Sequence, residues 1–248
     1  MTEMFNSPEG RRLAYRYTPA QVGPTFVWLT GFKSDMSGNK VTLLEAWAKA
    51  AGHGFLAFDY SGHGQSGGAF EAGTISAWRE DALSIIGAKT SGPLVLVGSS
   101  MGAWIALLAM KALGARVQAM VLLAPAPDFT RELMWPALPP EAKAEIMDKG
   151  QTLVPSEYDA PYPVTRALID DANNWLVLGN PIGFDGPVRI LQGGMDDDVP
   201  WHHAMRLVEV ITSDDLTFTL IKSGDHRLSR DEDIPMLIAT CAALVGAV

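Results

Sequence analysis

The five residues 98–102, with the sequence GSSMG, constrain the fold of this chain more than any other segment. They follow the apolar run 94–97 and precede the helix-forming stretch 103–110, which predicts a strand, a sharp turn with a serine at its tip, and a helix. Strand and helix approach closely only if the residues two places before and after that serine lack bulk. Gly98 and Gly102 satisfy this for Ser100, whereas Ser99 has bulky residues at both places. Ser100 is therefore the candidate nucleophile.

A turn of this composition can also join a strand to a helix without any chemistry, so the rest of the chain must supply partners. A serine nucleophile needs a base to remove its proton and an acid to orient that base. In folds that use this turn, the chain order is serine, then aspartate or glutamate, then histidine. His53 and His63 precede Ser100, so the order disfavours both, and a structural turn is the better interpretation of His63.

His226 is the candidate base. It lies in the loop 223–227, directly after the strand-like run 216–221, and ligands bind open α/β sheets where the strands end. His202 and His203 instead fit the solvated first turn of a predicted helix over 201–211. The alternative for His226 is a structural role in capping the next helix.

The acid is expected in the loop 192–200, which follows the strand-like run 188–191 and contains three consecutive aspartates. Asp198 suits a cap for the helix that Pro200 opens. Asp196 is our choice, because in proteins with this serine turn the acid usually stands three residues before a Val-Pro that starts the next helix. Asp197 remains the alternative.

Backbone N–H groups are expected to stabilise the oxyanion. One should come from the residue after the nucleophile, Met101, and the other from the loop after an early strand. The run 25–30 is that strand, and Phe32 follows it. We predict the Phe32 N–H as the second donor, with Gly31 letting the backbone approach the substrate.

Five segments carry a resemblance to a known family. They are 31–38, 58–62, 98–102 with Trp104, 196–202 and 225–227. Through them the chain resembles the α/β-hydrolases, and is most similar to the branch of mitochondrial palmitoyl-protein thioesterases and acyl-glucuronide esterases. The resemblance covers most of the chain and is weakest over about 126–180, where substrate choice is usually decided. The sequence departs from the pattern at its start, which lacks a transit segment, and at Ala103, where a further glycine is common.

The order of strand-like and helical runs predicts an α/β fold, a mostly parallel sheet with helices on both faces. Strands are expected near residues 12, 25, 55, 94, 117, 188 and 216, and residues 1–248 are interpreted as a single domain. The proline-rich stretch 126–180 predicts a small helical cap, with helices near 141–149 and 164–178. Trp135 and Tyr158 of this cap could bind substrate, or could merely hold the cap together.

Composition limits the classes of partner that this chain is expected to bind. A formal charge of −9 argues against nucleic acids and anionic membranes, and 48 % hydrophobic residues suffice for a large core. The longest apolar run, 236–248, is shorter than the roughly 20 residues that a membrane span needs.

The polar, acidic start resembles neither a signal nor a transit peptide, so a cytoplasmic location is expected. Cys241 is expected to be a packed thiol, and no oligomeric state is assigned.

These residues predict a serine hydrolase that cleaves a small ester or thioester, or an acylated protein, through an acyl-enzyme and without metal or organic cofactor. A carbon–carbon bond hydrolase or a perhydrolase could use the same triad. An aminopeptidase-like enzyme would need an acidic side chain that binds the free amine of its substrate. Glu132, Glu141 and Glu145 of the cap are candidates for this role. A binding protein without catalysis is the alternative of another class.

Overall fold

The core of the molecule is one sheet of eight strands. The structure, a computed structural model, describes residues 1–155 and 161–245. The strands of the sheet are β1 (Glu3–Asn6), β2 (Arg12–Thr18), β3 (Thr25–Leu29), β4 (Gly54–Phe58), β5 (Leu94–Ser99), β6 (Val117–Leu123), β9 (Val188–Gly193) and β10 (Leu216–Ile221). Their order is β1-β2-β4-β3-β5-β6-β9-β10. β2 runs antiparallel to both neighbours and all other pairs are parallel, which confirms the expected sheet. β1 was not expected from the sequence.

Helices cover both faces of this sheet, as expected. The α-helices of the described residues are α1 (Asn39–Ala50), α2 (Ile75–Lys89), α3 (Met101–Leu113), α4 (Trp135–Ala137), α5 (Pro140–Lys149), α6 (Arg166–Ala172), α7 (Trp201–Val210) and α8 (Asp233–Val245). α2, α3 and α7 pack on one face, and α1 and α8 on the other. Among the described helices none combines the length and apolarity that crossing a bilayer requires.

The central strands form because their residues are apolar on both faces, as buried parallel strands require. In β3, Val27 and Leu29 contact the core under α2 and α3, whereas Phe26 and Trp28 contact the core under α1 and α8. This alternation follows from the two-residue period of a strand. It leaves the loops after the strands free to carry polar side chains.

The segment 126–180 is not purely helical, contrary to expectation. It contains α4, α5 and α6 and also an antiparallel pair, β7 (Gln151–Val154) with β8 (Tyr162–Thr165). Aromatic and β-branched residues favour the strand where a helix was predicted to begin. Thr165 then caps α6, because its side chain accepts the Leu168 N–H.

This segment is joined to the main domain by polar contacts, most of them between half-buried side chains. The Asp171 carboxylate accepts the backbone N–H and the Oγ–H of Ser76, at 2.8 and 2.5 Å. The indole of Trp175 donates to Ser76 Oγ at 2.7 Å, and the indole of Trp104 donates to the Trp175 carbonyl at 3.0 Å. At its start, the Ala126 N–H donates to the Ser100 carbonyl at 3.2 Å. The segment therefore begins beside Ser100.

Candidate active site

Ser100 occupies a strained turn between β5 and α3. Its φ of 54° and ψ of −118° lie in a region that non-glycine residues rarely adopt. A Cβ at Gly98 would lie 2.6 Å from the Ala103 Cα, and a Cβ at Gly102 would clash with the Leu29 carbonyl oxygen. The two glycines are therefore a steric requirement of this turn.

Gly102→Ala should consequently destabilise the protein by about 3 kcal/mol, the upper range for forcing extra atoms into a packed site. The control is Gly87→Ala in α2, where an added Cβ meets nothing within 4 Å. Alanine there should be neutral or stabilise by about 0.5 kcal/mol, because it favours the helix. Denaturant unfolding of both variants measures the difference, and equal stabilities would contradict the steric explanation.

Ser100, His226 and Asp196 form one chain of hydrogen bonds. His226 Nε2 lies 3.0 Å from Ser100 Oγ, and His226 Nδ1 lies 2.9 Å from Asp196 Oδ2. The Asp196 side chain is buried, and the His226 side chain is 19 % exposed. An ionised carboxylate only accepts, so Nδ1 carries the proton and Nε2 is left to accept from the serine. The three predicted side chains are thus brought together.

Of the three consecutive aspartates, Asp196 is the one hydrogen-bonded to His226. Its Oδ1 also accepts the backbone N–H groups of Val199 and Asp198, at 2.8 and 3.1 Å. Asp197 and Asp198 are exposed. The expected capping role of Asp198 is wrong, because α7 begins after Pro200 without a side-chain cap.

The ligand atoms of Asp196, Asp198 and His226 lie within 4.8 Å of one another, a spacing that could hold a metal ion. His226 Nδ1 and Asp196 Oδ2 are already hydrogen-bonded to each other. A mechanism without metal or cofactor therefore stays our prediction.

The loop after β3 lies against Ser100. A Cβ at Gly31 would be 3.4 Å from the Ser100 Cβ. The Phe32 N–H has no acceptor within residues 1–155 and 161–245, and Met101 begins α3, where the first N–H groups lack intrahelical acceptors. The Phe32 ring anchors the loop through rings 5.0 to 5.9 Å away, those of Phe70, Trp78, Phe129 and Tyr162.

His63 supports the same loop, a role that the sequence did not suggest. Its Nε2 accepts the Lys33 N–H at 3.2 Å, next to Phe32, and its Nδ1 lies 3.3 Å from the Ser61 carbonyl. Lys33 has a φ of 55°, so this contact helps to hold an unfavourable backbone conformation. Burial lowers the pKa of His63 to about 4, which keeps Nε2 an acceptor at neutral pH.

This shift predicts a pH-dependent stability. Because His63 is harder to protonate in the folded chain, the unfolded chain binds more protons between pH 6.5 and about 4, and stability falls as pH falls through that window. His63→Gln can still accept the Lys33 N–H but cannot titrate. The stability advantage of wild type over His63→Gln should shrink by on the order of 3 kcal/mol from pH 7 to 4. Unfolding free energies at several pH values measure it, with exposed His202→Gln as control; a constant difference would contradict a neutral His63.

Besides Gly31, the two cap residues Trp135 and Tyr158 were predicted to bind substrate. Trp135 packs in the small core of segment 126–180, against Leu138, Ile146 and Val164. This packing favours a structural role for Trp135 within the segment, and substrate binding by this residue stays a prediction. Tyr158 lies outside the described residues. Sequence reasoning also missed Gln192, a lone buried glutamine in the apolar strand β9 that contacts Asp196. Its polarity in such a strand was the available signal.

The fold and this site define a class of protein. Residues 27–237 match the Alpha/beta hydrolase family, and the chain belongs to that family. It is 37 % identical over 243 residues to the human palmitoyl-protein thioesterase ABHD10, mitochondrial, covering 97 % of this chain and 79 % of the relative. A crystal structure from Agrobacterium vitis S4 superposes with a TM-score of 0.95 at 42 % identity, covering 99 % of this chain and 98 % of that one. Mouse alpha/beta hydrolase domain-containing protein 10 gives 0.91 at 35 % identity, covering 100 % and 99 %.

These relatives correct one expectation. The human, orangutan, bovine, mouse and rat proteins are all named as mitochondrial, at 36 to 37 % identity. The cytoplasmic location expected from the first residues is contradicted by these names. The physical reason is that a targeting segment is separate from the fold, so the composition of the folded part does not encode location.

Proposed function

We propose that the protein is a serine hydrolase that cleaves a carboxylic ester or acyl thioester through an acyl-enzyme. The observation that carries this proposal is the unbroken hydrogen-bond chain from Ser100 through His226 to Asp196. Such a chain serves nucleophilic catalysis, since each member prepares the next. The family membership supports hydrolysis in general, and the triad gives the proposed mechanism its residues.

In the first step His226 Nε2 takes the Ser100 proton while Oγ attacks the acyl carbonyl. Asp196 holds the imidazole in the required tautomer and stabilises the imidazolium that forms. The same proton then passes to the departing alkoxide or thiolate, which leaves the acyl group on Ser100. Water repeats the sequence on the acyl-enzyme and releases the acid.

The oxyanion of each tetrahedral intermediate is proposed to bind between the N–H groups of Phe32 and Met101. Both belong to backbone that adjoins Ser100, one in the loop after β3 and one at the start of α3. Donors fixed in advance stabilise the developing charge without reorganisation, and each typically contributes a factor of about 10² to 10³ in kcat. Gly31 keeps that loop close to the reacting centre.

The substrate is proposed to carry an apolar acyl group. Rings beside the proposed oxyanion loop are those of Phe32, Phe129 and Tyr162, and Phe129 also packs against Trp104. We further propose that segment 126–180 acts as a cap of the single domain 1–248. The names of the thioesterase relatives support an acyl thioester, including one on a protein. Trp135 and Tyr158 remain proposed cap residues for substrate binding.

A chain-length series of p-nitrophenyl esters and matching acyl thioesters tests this function, together with labelling by a fluorophosphonate probe. Covalent labelling with turnover of either series supports the proposal, and the optimum chain length measures the acyl pocket. A folded protein that neither labels nor hydrolyses any member contradicts it. Turnover confined to a β-diketone, to peroxide-dependent chemistry or to a peptide would mean that the same triad catalyses a different reaction.

A further inference from the structure

Gln192 is a fully buried polar side chain at the end of β9, next to the proposed acid. Its neighbours on the same face of the strand, Val188 and Ile190, are apolar and also fully buried. Burying an amide in such surroundings is unfavourable unless it is hydrogen-bonded. The contacts of Gln192 therefore indicate what it does there.

The amide nitrogen of Gln192 is surrounded by oxygen atoms. Nε2 lies 2.9 Å from Asp196 Oδ2, 3.0 Å from the Val199 carbonyl and 3.2 Å from the Gly193 carbonyl. Turning the amide over would direct its oxygen at a carboxylate and two carbonyls, which is repulsive. Nε2 is thus the donor to Asp196.

The oxygen of Asp196 that Gln192 contacts is the one that binds the candidate base. Oδ2 accepts from Gln192 Nε2 and from His226 Nδ1, both at 2.9 Å. The other oxygen is held by two backbone N–H groups of its own loop. Two donors to one oxygen fix the carboxylate plane and share its negative charge.

We propose that Gln192 is a positioning residue of the triad: it holds Asp196 Oδ2 toward His226 and limits how strongly that carboxylate stabilises the imidazolium. This inference rests on the proposed function. It follows that removal of the amide should both loosen Asp196 and leave its carboxylate more basic. The more basic carboxylate would then hold a proton on His226 to higher pH.

Other charged groups face the same pair and must stay constant in the test. From the loop of Asp196 comes Asp198, whose carboxylate lies within 4.8 Å of the ligand atoms of Asp196 and His226. Lys40 of α1 donates to the Arg227 carbonyl, next to His226. Further titratable groups that interact with Asp198 or Lys40 are Tyr162, Asp225, Asp233 and Arg227. None of them contacts the Gln192 amide among the hydrogen bonds of the described residues.

Gln192→Met is the informative variant, because methionine keeps the length and much of the volume but donates nothing. We expect its fluorophosphonate labelling at neutral pH to slow by roughly tenfold, the range for losing a hydrogen bond to a charged group. The acidic limb of labelling rate against pH should move to higher pH by about half a unit or more. Ile190→Val, on the same face of β9, is the matched control and should leave the limb unchanged.

The outcomes separate this inference from the proposed function. A Gln192→Met protein with the wild-type limb, at whatever rate, assigns Gln192 to packing alone and overturns the proposal. Folded wild type that does not label at any pH contradicts the proposed function instead. If Gln192→Met does not fold, the side-chain amide resonance of Gln192 in ¹⁵N-glutamine-labelled wild type decides. A change of this resonance with pH that has the same midpoint as the acidic limb of labelling supports the proposal. A resonance that does not change over that pH range overturns it.

Discussion

Ser100→Ala is expected to lower kcat/KM by on the order of 10⁶, the size of loss that removal of a triad serine can cause. The reason is that the variant loses the hydroxyl oxygen that lies 3.0 Å from His226 Nε2, in the position of the attacking atom. The oxyanion donors and the substrate contacts should remain, so a residual rate above that of water is expected. Steady-state kinetics on the best p-nitrophenyl ester measure the loss.

Ser99→Ala is the matched control, because it removes the adjacent hydroxyl while Ser100 keeps its strained turn. It should keep activity within a few-fold and should still react with the fluorophosphonate, whose adduct is located by mass spectrometry of the peptide. Near-normal activity of Ser100→Ala would remove this serine from the mechanism. Loss of labelling in Ser99→Ala alone would identify Ser99 as the nucleophile instead.

Asp196→Asn is expected to lower kcat by about 10⁴, because its amide would present a donor to His226 Nδ1 and favour the wrong tautomer. The substituted side chain would keep the volume of the buried carboxylate and can still accept the Val199 N–H. The fold should therefore survive, and circular dichroism checks that it does. The loss in kcat can therefore be distinguished from a loss of stability.

Asp197→Asn supplies the comparison, since Asp197 is exposed and adjoins Asp196 in the same loop. Its kcat should stay within about twofold of wild type, as for most surface substitutions away from a site. Kinetics of the two variants side by side, on one substrate and at one pH, give the ratio. The reverse pattern would place the acid at 197.

Much of the fold was predictable because its signals are local. Apolar runs of five to seven residues mark the central strands, and the seven strand positions expected from the sequence all hold strands. The turn at Ser100 was predictable in detail, since its steric rule involves only Gly98, Ser100 and Gly102. β1 was missed because it is a short, mostly exposed strand at the edge of the sheet.

The segment 126–180 was predicted less well, for a reason that concerns packing. Its hairpin of β7 and β8 is stabilised by contacts between residues far apart in the chain, such as Val164 with Ile146. Periodicity within a short window cannot register such pairs. The same holds for Trp135, whose partners Leu138, Ile146 and Val164 show only in the folded chain.

For the candidate site, the sequence by itself determined the three residue types, their order and the serine at the turn between β5 and α3, because steric and chemical rules of short range dictate them. Only the tertiary structure decided which aspartate reaches His226, since the choice depends on how the loop after β9 folds back so that two backbone N–H groups and Gln192 hold Asp196. The tertiary structure alone also brings His63 Nε2 to the Lys33 N–H. These contacts join elements up to 30 residues apart, and their energies exist only once the sheet has brought the loops together.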